Sequence, residues 1–545
     1  MSFRTLKPTD KGVDRRTFMA KSACAAMGTV GIVNSLAHLR LMQAAMAAGQ
    51  GAGDYKAVVV VFQFGGNDTN NMLIPTDNST GTLFNRAEYE THRDVLAIPD
   101  ASLLKLRGWD AAGNPVAPGS ETYGLHPGFG ADGGTNNNRG PAQLYNDGEL
   151  AFVANVGSLV EPFHSDINTF ETEALVNFRN SAYTKSPQLY SHSDQQVQMQ
   201  SSIPDRAFQS GWGGRAADLL NASYNGNGNV SMNISLNGVN KLQVGTAGGN
   251  VSQYIVTSSG TRSLNGFGSR YSNAATLNPD GTVASYNANS AGRRLEAFDK
   301  IMRHTHENLL EDGYNDVVER ARDNEVFINT ALLEAAASGV NFDDIFAGDN
   351  NDIHNELKMV AQLIAGRNCF GNQRQIFFCS DGGWDTHQNM LNNHNTRLSY
   401  LGRGLAAFNE SMHQLGVHDK VLVITQSDFT RTFTPNRTDP AQAGSDHGYG
   451  GHMTVMGGPV QGGRVYGRLP IFKIGNQPGV GIDTSNTRGR WIPSTSTDQY
   501  LSVAADWFGI DRGSDNMNTI FPNLGRFDNP WTGSSNIDYL NYTPA

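Results

Sequence analysis

Four short apolar runs constrain this chain more than any other feature. Ala57-Val58-Val59-Val60-Val61-Phe62 is uninterrupted. Leu150-Ala151-Phe152-Val153-Ala154-Asn155-Val156, Gln375-Ile376-Phe377-Phe378-Cys379 and Lys420-Val421-Leu422-Val423-Ile424-Thr425 look alike. A strand with one wet face alternates apolar and polar residues, whereas runs of this kind suit strands buried on both faces, as in a parallel sheet. Helical spacing precedes the last two: Glu356 to Ala365 leads into one, and Leu398 to Leu415 into the other. Alternation of helix and strand predicts an α/β fold with parallel strands.

Composition supports a packed chain. With 26 Phe, 17 Tyr and 6 Trp a core can be filled, which argues against intrinsic disorder. Only 17% of the residues are charged, below the usual ~25%, so the polarity comes from Asn, Ser, Thr, Gln and Gly. A balance of 41 basic against 51 acidic residues, net charge −10, argues against nucleic acid as a partner. Three cysteines exclude a disulfide framework and a Cys-rich zinc module. Residues 221–290, rich in Asn, Gly and Ser, read as a loop-rich or small β insertion, and Gly292 to Ala337 as one or two exposed helices.

The amino terminus reads as an address. Asp14-Arg15-Arg16-Thr17-Phe18-Met19 is followed by a weakly apolar stretch, Ala20 to Leu41, without acidic residues. This pattern looks like a twin-arginine export signal over residues 1–48, with cleavage near Ala48. Lys21, Asn34, His38 and Arg40 interrupt the stretch, whereas a membrane-spanning helix needs ~20 apolar residues in succession. The expectations are passage through the twin-arginine machinery, a mature chain in the periplasm or secreted, and no stable membrane span. Cys24 leaves with the signal. Cys369 and Cys379 remain in an oxidising compartment, where they can pair.

Ligands of open α/β sheets sit beyond the carboxyl ends of the strands, and each apolar run here leads to acid, base or metal-capable residues. The first ends in Gly65-Gly66-Asn67-Asp68, and the second leads through Asn155 to His164. The third ends in Ser380-Asp381-Gly382-Gly383-Trp384-Asp385-Thr386-His387. The fourth ends in Gln426-Ser427-Asp428-Phe429-Thr430-Arg431, followed by Ser445-Asp446-His447-Gly448 and His452. Each motif alone has a plain reading as a turn or helix cap. Together, carboxylates and imidazoles at one sheet edge suit a divalent cation.

These segments resemble the DUF1501 family, whose members carry twin-arginine signals and are grouped with the alkaline phosphatase/sulfatase superfamily. The resemblance rests on Phe64-Gly65-Gly66-Asn67-Asp68, Gly382-Gly383-Trp384-Asp385-Thr386-His387 and Ser427-Asp428-Phe429-Thr430-Arg431-Thr432 with Asp446-His447-Gly448. Ser191-His192-Ser193-Asp194-Gln195-Gln196, Gly211-Trp212-Gly213-Gly214-Arg215 and the Gly457–Gly463 segment add to it. It implies one doubly wound, alkaline-phosphatase-like domain over residues 56–545, with zinc, calcium or manganese at the strand ends. It also implies hydrolysis of phosphate or sulfate esters. By position, Asp68, Asp385 with His387, Asp428, and His447 or His452 with Asp446 stand as metal ligands. Asp428-Phe429 departs from the superfamily's Asp-His pair. Ser193, beside His192 at the start of a predicted helix, and Thr69 stand as alternative nucleophiles, and Arg431 or Arg215 as the clamp on the anion. The resulting expectation is an exported metal-dependent hydrolase of an anionic ester. The competing one, favoured by the lack of a clear nucleophile, is a non-catalytic metal-stabilised binding or scaffold protein on a degenerate phosphatase fold.

Overall fold

A computed structural model describes residues 55–77, 85–108, 122–130, 138–226, 230–249, 251–261, 264–278, 282–304, 309–474, 487–533 and 536–541. The expected export signal over residues 1–48 lies outside the described residues.

The apolar runs form the centre of a nine-stranded sheet. Its strands are β1 (Lys56–Gln63), β2 (Leu150–Gly157), β3 (Asn233–Ser235), β4 (Tyr254–Ile255), β5 (Arg374–Asp381), β6 (Val421–Ser427), β7 (Gly451–Met456), β8 (Val465–Tyr466) and β9 (Thr495–Ser496). The spatial order is β8-β2-β7-β6-β1-β5-β3-β4, with β9 also paired to β2. β1 is parallel to both β5 and β6. β7 alone runs against its neighbours β6 and β2. The fold is therefore mixed α/β around a large, mostly parallel sheet.

Burial on both faces explains the missing alternation in β1. Ala57, Val59 and Val61 share a core with Leu357, Val360, Leu401 and Leu405. These come from the helix Asp352–Ala365 and from the helix Met390–Gln414. Val58, Val60 and Phe62 on the opposite face are just as buried, and the helix Thr497–Phe508 packs on the sheet from that side through Tyr500, whose hydroxyl donates to Thr425 O at 3.0 Å. Removing this much β-branched and aromatic surface from water drives such a sheet to form.

The Asn-, Gly- and Ser-rich segment is less separate than its composition suggests. β3 and β4 lie within it and extend the main sheet, while Ala275–Leu277 and Val283–Tyr286 make a hairpin of their own. Cys369 and Cys379 are both free thiols, so the pairing considered from the sequence is absent here. Cys379 is fully buried inside β5. Among the described residues, no helix is long and apolar enough to cross a membrane.

Candidate metal centre

Register brings the chemistry together. Gln63 of β1 stands opposite Asp381 of β5 and Ser427 of β6, so these three strands end in line. The residues that follow them, Gly65 to Asp68, Trp384 to His387 and Asp428 to Arg431, emerge at one edge. β7 is antiparallel, so its first residue lies at that same edge, with Gly451 opposite Val156 near the end of β2. That reversed strand is what delivers His447. A further participant, His192, opens the helix His192–Ser201.

Two glycines permit the close approach. Gly65 has φ +117°, and a Cβ there would lie 2.5 Å from the backbone nitrogen of Asp385. A Cβ on Gly448 would lie 2.6 Å from Thr430 O. Side chains at these positions would push the strand-end loops apart.

Three imidazoles converge on Asp385. Its Oδ1 lies 3.0 Å from His387 Nε2, 3.4 Å from His447 Nε2 and 3.5 Å from His192 Nε2. The two nitrogens of His387 and His447 are 3.0 Å apart. The other nitrogen of each ring is held from behind. His192 Nδ1 is 2.7 Å from Asp428 Oδ2, His387 Nδ1 is 3.1 Å from Asp446 Oδ1, and His447 Nδ1 is 2.7 Å from Tyr190 O. Acceptors at every Nδ1 place the proton there and leave each Nε2 lone pair facing Asp385. This is how metal-binding histidines are usually oriented.

Separations of 3.0–3.5 Å bracket the ~3.3 Å edge of a tetrahedron with bonds of about 2.0–2.1 Å, the bond length of a zinc site. His192, Asp385 and His447 form one of two groups among the described residues that could hold a metal ion; Glu149, His413 and His418 form the other. In the first group, His192 Nε2 is buried without a hydrogen-bond partner. An unpartnered lone pair beside a carboxylate fits a cation. Phe429, which replaces the expected histidine after Asp428, packs its ring 4.8 Å from that of His192 and 4.9 Å from that of His447. It shapes the floor on which both imidazoles rest.

Charge in the site is tuned by contact. Burial opposes ionisation of Asp385, but the hydrogen bond and charge of Arg431 outweigh it and hold the carboxyl below its usual range. The hydrogen bond to Asp428 raises the pKa of His192, whereas burial lowers that of His447. Burial also opposes ionisation of Asp446, and Arg488, His387 and Asn436 together outweigh it and hold the carboxyl below its usual range.

Asp385, His387, His447, His192, Asp428 and Asp446 are thus connected, the first four around a common point and the last two behind the rings. Asp68 is not among them. Its carboxylate is fully buried and paired at 2.5 Å with Arg93, also fully buried, at the end of the helix Arg86–Arg93. His452 is buried within β7; its Nδ1 accepts from Asn155 N at 3.1 Å, and burial lowers its pKa to about 3. Ser193 is exposed, with its hydroxyl 3.2 Å from Ser191 Oγ and 3.3 Å from Asp194 Oδ2. Thr69 is buried and bonded to Thr430 and to His452 N. Neither arginine expected to clamp an anion is exposed. Arg431 donates to Asp385 Oδ1 at 2.6 Å and to the carbonyls of Gly65 and Ser445. Arg215 donates to the carbonyls of Ser201, Ser210 and Ile520.

The sequence reading missed Tyr190, Arg488 and Arg490. Arg488 Nη1 contacts Asp446, and Arg490 Nε donates to His447 O at 2.8 Å with its guanidinium 3.9 Å over the Tyr190 ring. The closely spaced pair Arg488-Gly489-Arg490 was the available signal, but it lies outside every motif that the strand ends pointed to.

Asp381 provides a control at the same edge. Burial pushes its carboxyl from 3.8 up to about 6 against the pull of Arg397. The folded chain therefore binds more protons than the unfolded chain in this window, so this group's contribution to stability falls as pH rises from 3.8 to about 6. Asp381→Asn is expected to flatten that part of a stability–pH curve measured by urea unfolding, by roughly 3 kcal/mol, and to leave metal content unchanged.

The fold and this edge define an α/β protein with a histidine–carboxylate centre suited to a divalent cation. The chain belongs to the family described as Protein of unknown function (DUF1501), whose model matches residues 55–477. No curated protein and no solved structure matches it.

Proposed function

We propose that this chain is an exported, metal-dependent hydrolase of an anionic phosphate or sulfate ester, on an alkaline-phosphatase-like fold. The observation that supports it best is the convergence of three Nε2 atoms, each ring fixed through Nδ1, on the carboxylate of Asp385. Three imidazoles and one carboxylate favour zinc over calcium or manganese. His192, His387, His447 and Asp385 would hold the ion. A divalent cation so held supplies Lewis-acid polarisation of an ester oxygen and lowers the pKa of water.

The chain's own groups define the rest. Ser193 is engaged with Ser191 and Asp194, so water is the better candidate for the attacking oxygen. Arg488 and Arg490 on the rim attract the anion. The test is elemental analysis of protein from the exported fraction, followed by a screen of phosphate and sulfate monoesters and diesters. Bound metal with turnover that disappears on chelation is the expected result, and turnover without metal would reject the reading. Metal without turnover supports the second reading, a metal-stabilised binding or scaffold protein. That alternative is favoured by the absence, among the described residues, of a side-chain nucleophile facing the centre and by Arg431, which already neutralises Asp385.

Export rests on Arg15 and Arg16. Replacing both by lysine should trap the precursor in the cytoplasm, and undiminished appearance in the periplasm would reject that route.

A further inference from the structure

We propose that Glu149, His413 and His418 form a second divalent-cation site, at the sheet edge opposite the candidate centre. Glu149 immediately precedes β2, and His418 lies just before β6, so both stand where these strands begin. The candidate centre lies where the strands end. β2 has eight residues, which separates the two edges by about 26 Å. His413 is in the last turn of the helix Met390–Gln414, which starts just after His387.

His413 Nε2, His418 Nε2 and a carboxylate oxygen of Glu149 lie within 4.8 Å of one another. Glu149 Oε2 is 2.9 Å from His413 Nε2 and 3.3 Å from His418 Nε2. These are again close to the ~3.3 Å ligand–ligand edge of a zinc tetrahedron. An oxygen stands beside them: Asn409 Oδ1 is 3.0 Å from His418 Nε2, while Asn409 Nδ2 donates to Glu149 Oε2 at 2.8 Å.

The donor pattern is what points to a cation. His413 Nε2 is 3.0 Å from Arg139 Nη2, which can only donate, and 2.9 Å from Glu149 Oε2, which can only accept. One nitrogen cannot offer a proton to the carboxylate and a lone pair to the guanidinium at once. A dication resolves the conflict, because it takes lone pairs from His413, His418 and Glu149 together. Arg139 must then give up Glu149, to which it is bound through both nitrogens at 2.8 and 2.9 Å. It has an alternative anchor already in contact, since Arg139 Nη1 is 2.9 Å from Asp147 Oδ2. The imidazoles stack with centroids 3.7 Å apart, so a modest ring rotation is needed to aim both lone pairs at one ion. Bound there, the ion ties the end of a long helix to the starts of two strands and stabilises the folded state by linkage.

The experiment is a zinc titration by calorimetry of the chelator-stripped full chain, with melting temperature as a second readout. His413→Ala/His418→Ala should bind one zinc fewer than the wild type and lose part of the zinc-dependent rise in melting temperature. His192→Ala/His447→Ala should retain the zinc bound at Glu149, so failure of the candidate centre and failure of this site are distinguishable. Wild-type zinc stoichiometry in folded His413→Ala/His418→Ala overturns the proposal. If that variant does not fold, Glu149→Gln, which preserves side-chain volume, takes its place with the same two outcomes.

Discussion

Asp385→Asn is expected to abolish metal retention and to lower the stability of the chain. Asp385 Oδ1 is the common point of three imidazoles, and asparagine removes the formal charge that a dication needs there. The sequence also allowed Asp385 to be only a helix cap, for which Asn would be nearly equivalent. The structure excludes that role: the following helix starts at Met390, its N-cap position is Asn389, and Asp385's carboxylate faces Arg431 and the imidazoles. Arg431 has a fully buried side chain, so losing its carboxylate leaves a guanidinium held by carbonyls alone. Breaking a buried pair costs about 3–5 kcal/mol. Because Asp385 is 44% exposed, water can fill in, and about 2 kcal/mol is the better expectation. Metal content after dialysis and a denaturant curve measure the two effects. Wild-type metal stoichiometry in Asp385→Asn would remove this residue from the centre, and much of the case for His387 with it.

At Asp68 the same substitution should do the opposite. Asp68→Asn is expected to destabilise the fold by about 3–5 kcal/mol while folded protein keeps its metal. Asp68 and Arg93 both have side chains without solvent exposure, so the variant strands a buried guanidinium. Arg93 Nη1 donates to the carbonyls of Thr432 and Phe433, which ties the helix Arg86–Arg93 to the loop after β6. Pairing Asp68→Asn with Arg93→Met should recover part of the loss, as expected when a stranded charge is removed together with its partner. A stability change below about 1 kcal/mol accompanied by loss of metal would instead place Asp68 in the centre.

These two aspartates show where sequence reasoning stops. Both follow a buried strand and a Gly-rich turn, and the chain offers no local difference that separates ligand from structural partner. The difference is which arginine each meets, Arg431 or Arg93, and for Asp385 that partner comes from a different strand-end loop. His447 and His452 present the same problem. They lie five residues apart, but one precedes β7 at the sheet edge and the other is inside it, bonded to Asn155 N.

What the sequence determined by itself is whatever depends on near neighbours. Continuous burial of β1, β2, β5 and β6 was legible because an apolar run without alternation has only one comfortable setting, between two layers. The glycine turns after β1 and β5, and the presence of acid and imidazole groups just beyond the strands, were legible for the same local reason. Tertiary structure decided the rest. The register of β1 with β5 and β6, and the antiparallel placement of β7 against β2, set which strand ends coincide, and they depend on pairings hundreds of residues apart. The contacts of His192, Tyr190, Arg488 and Arg490 were decided only there. Hydrogen bonds and ion pairs act over a few ångströms of space and take no account of separation along the chain, so a residue's chemistry follows from its final neighbours.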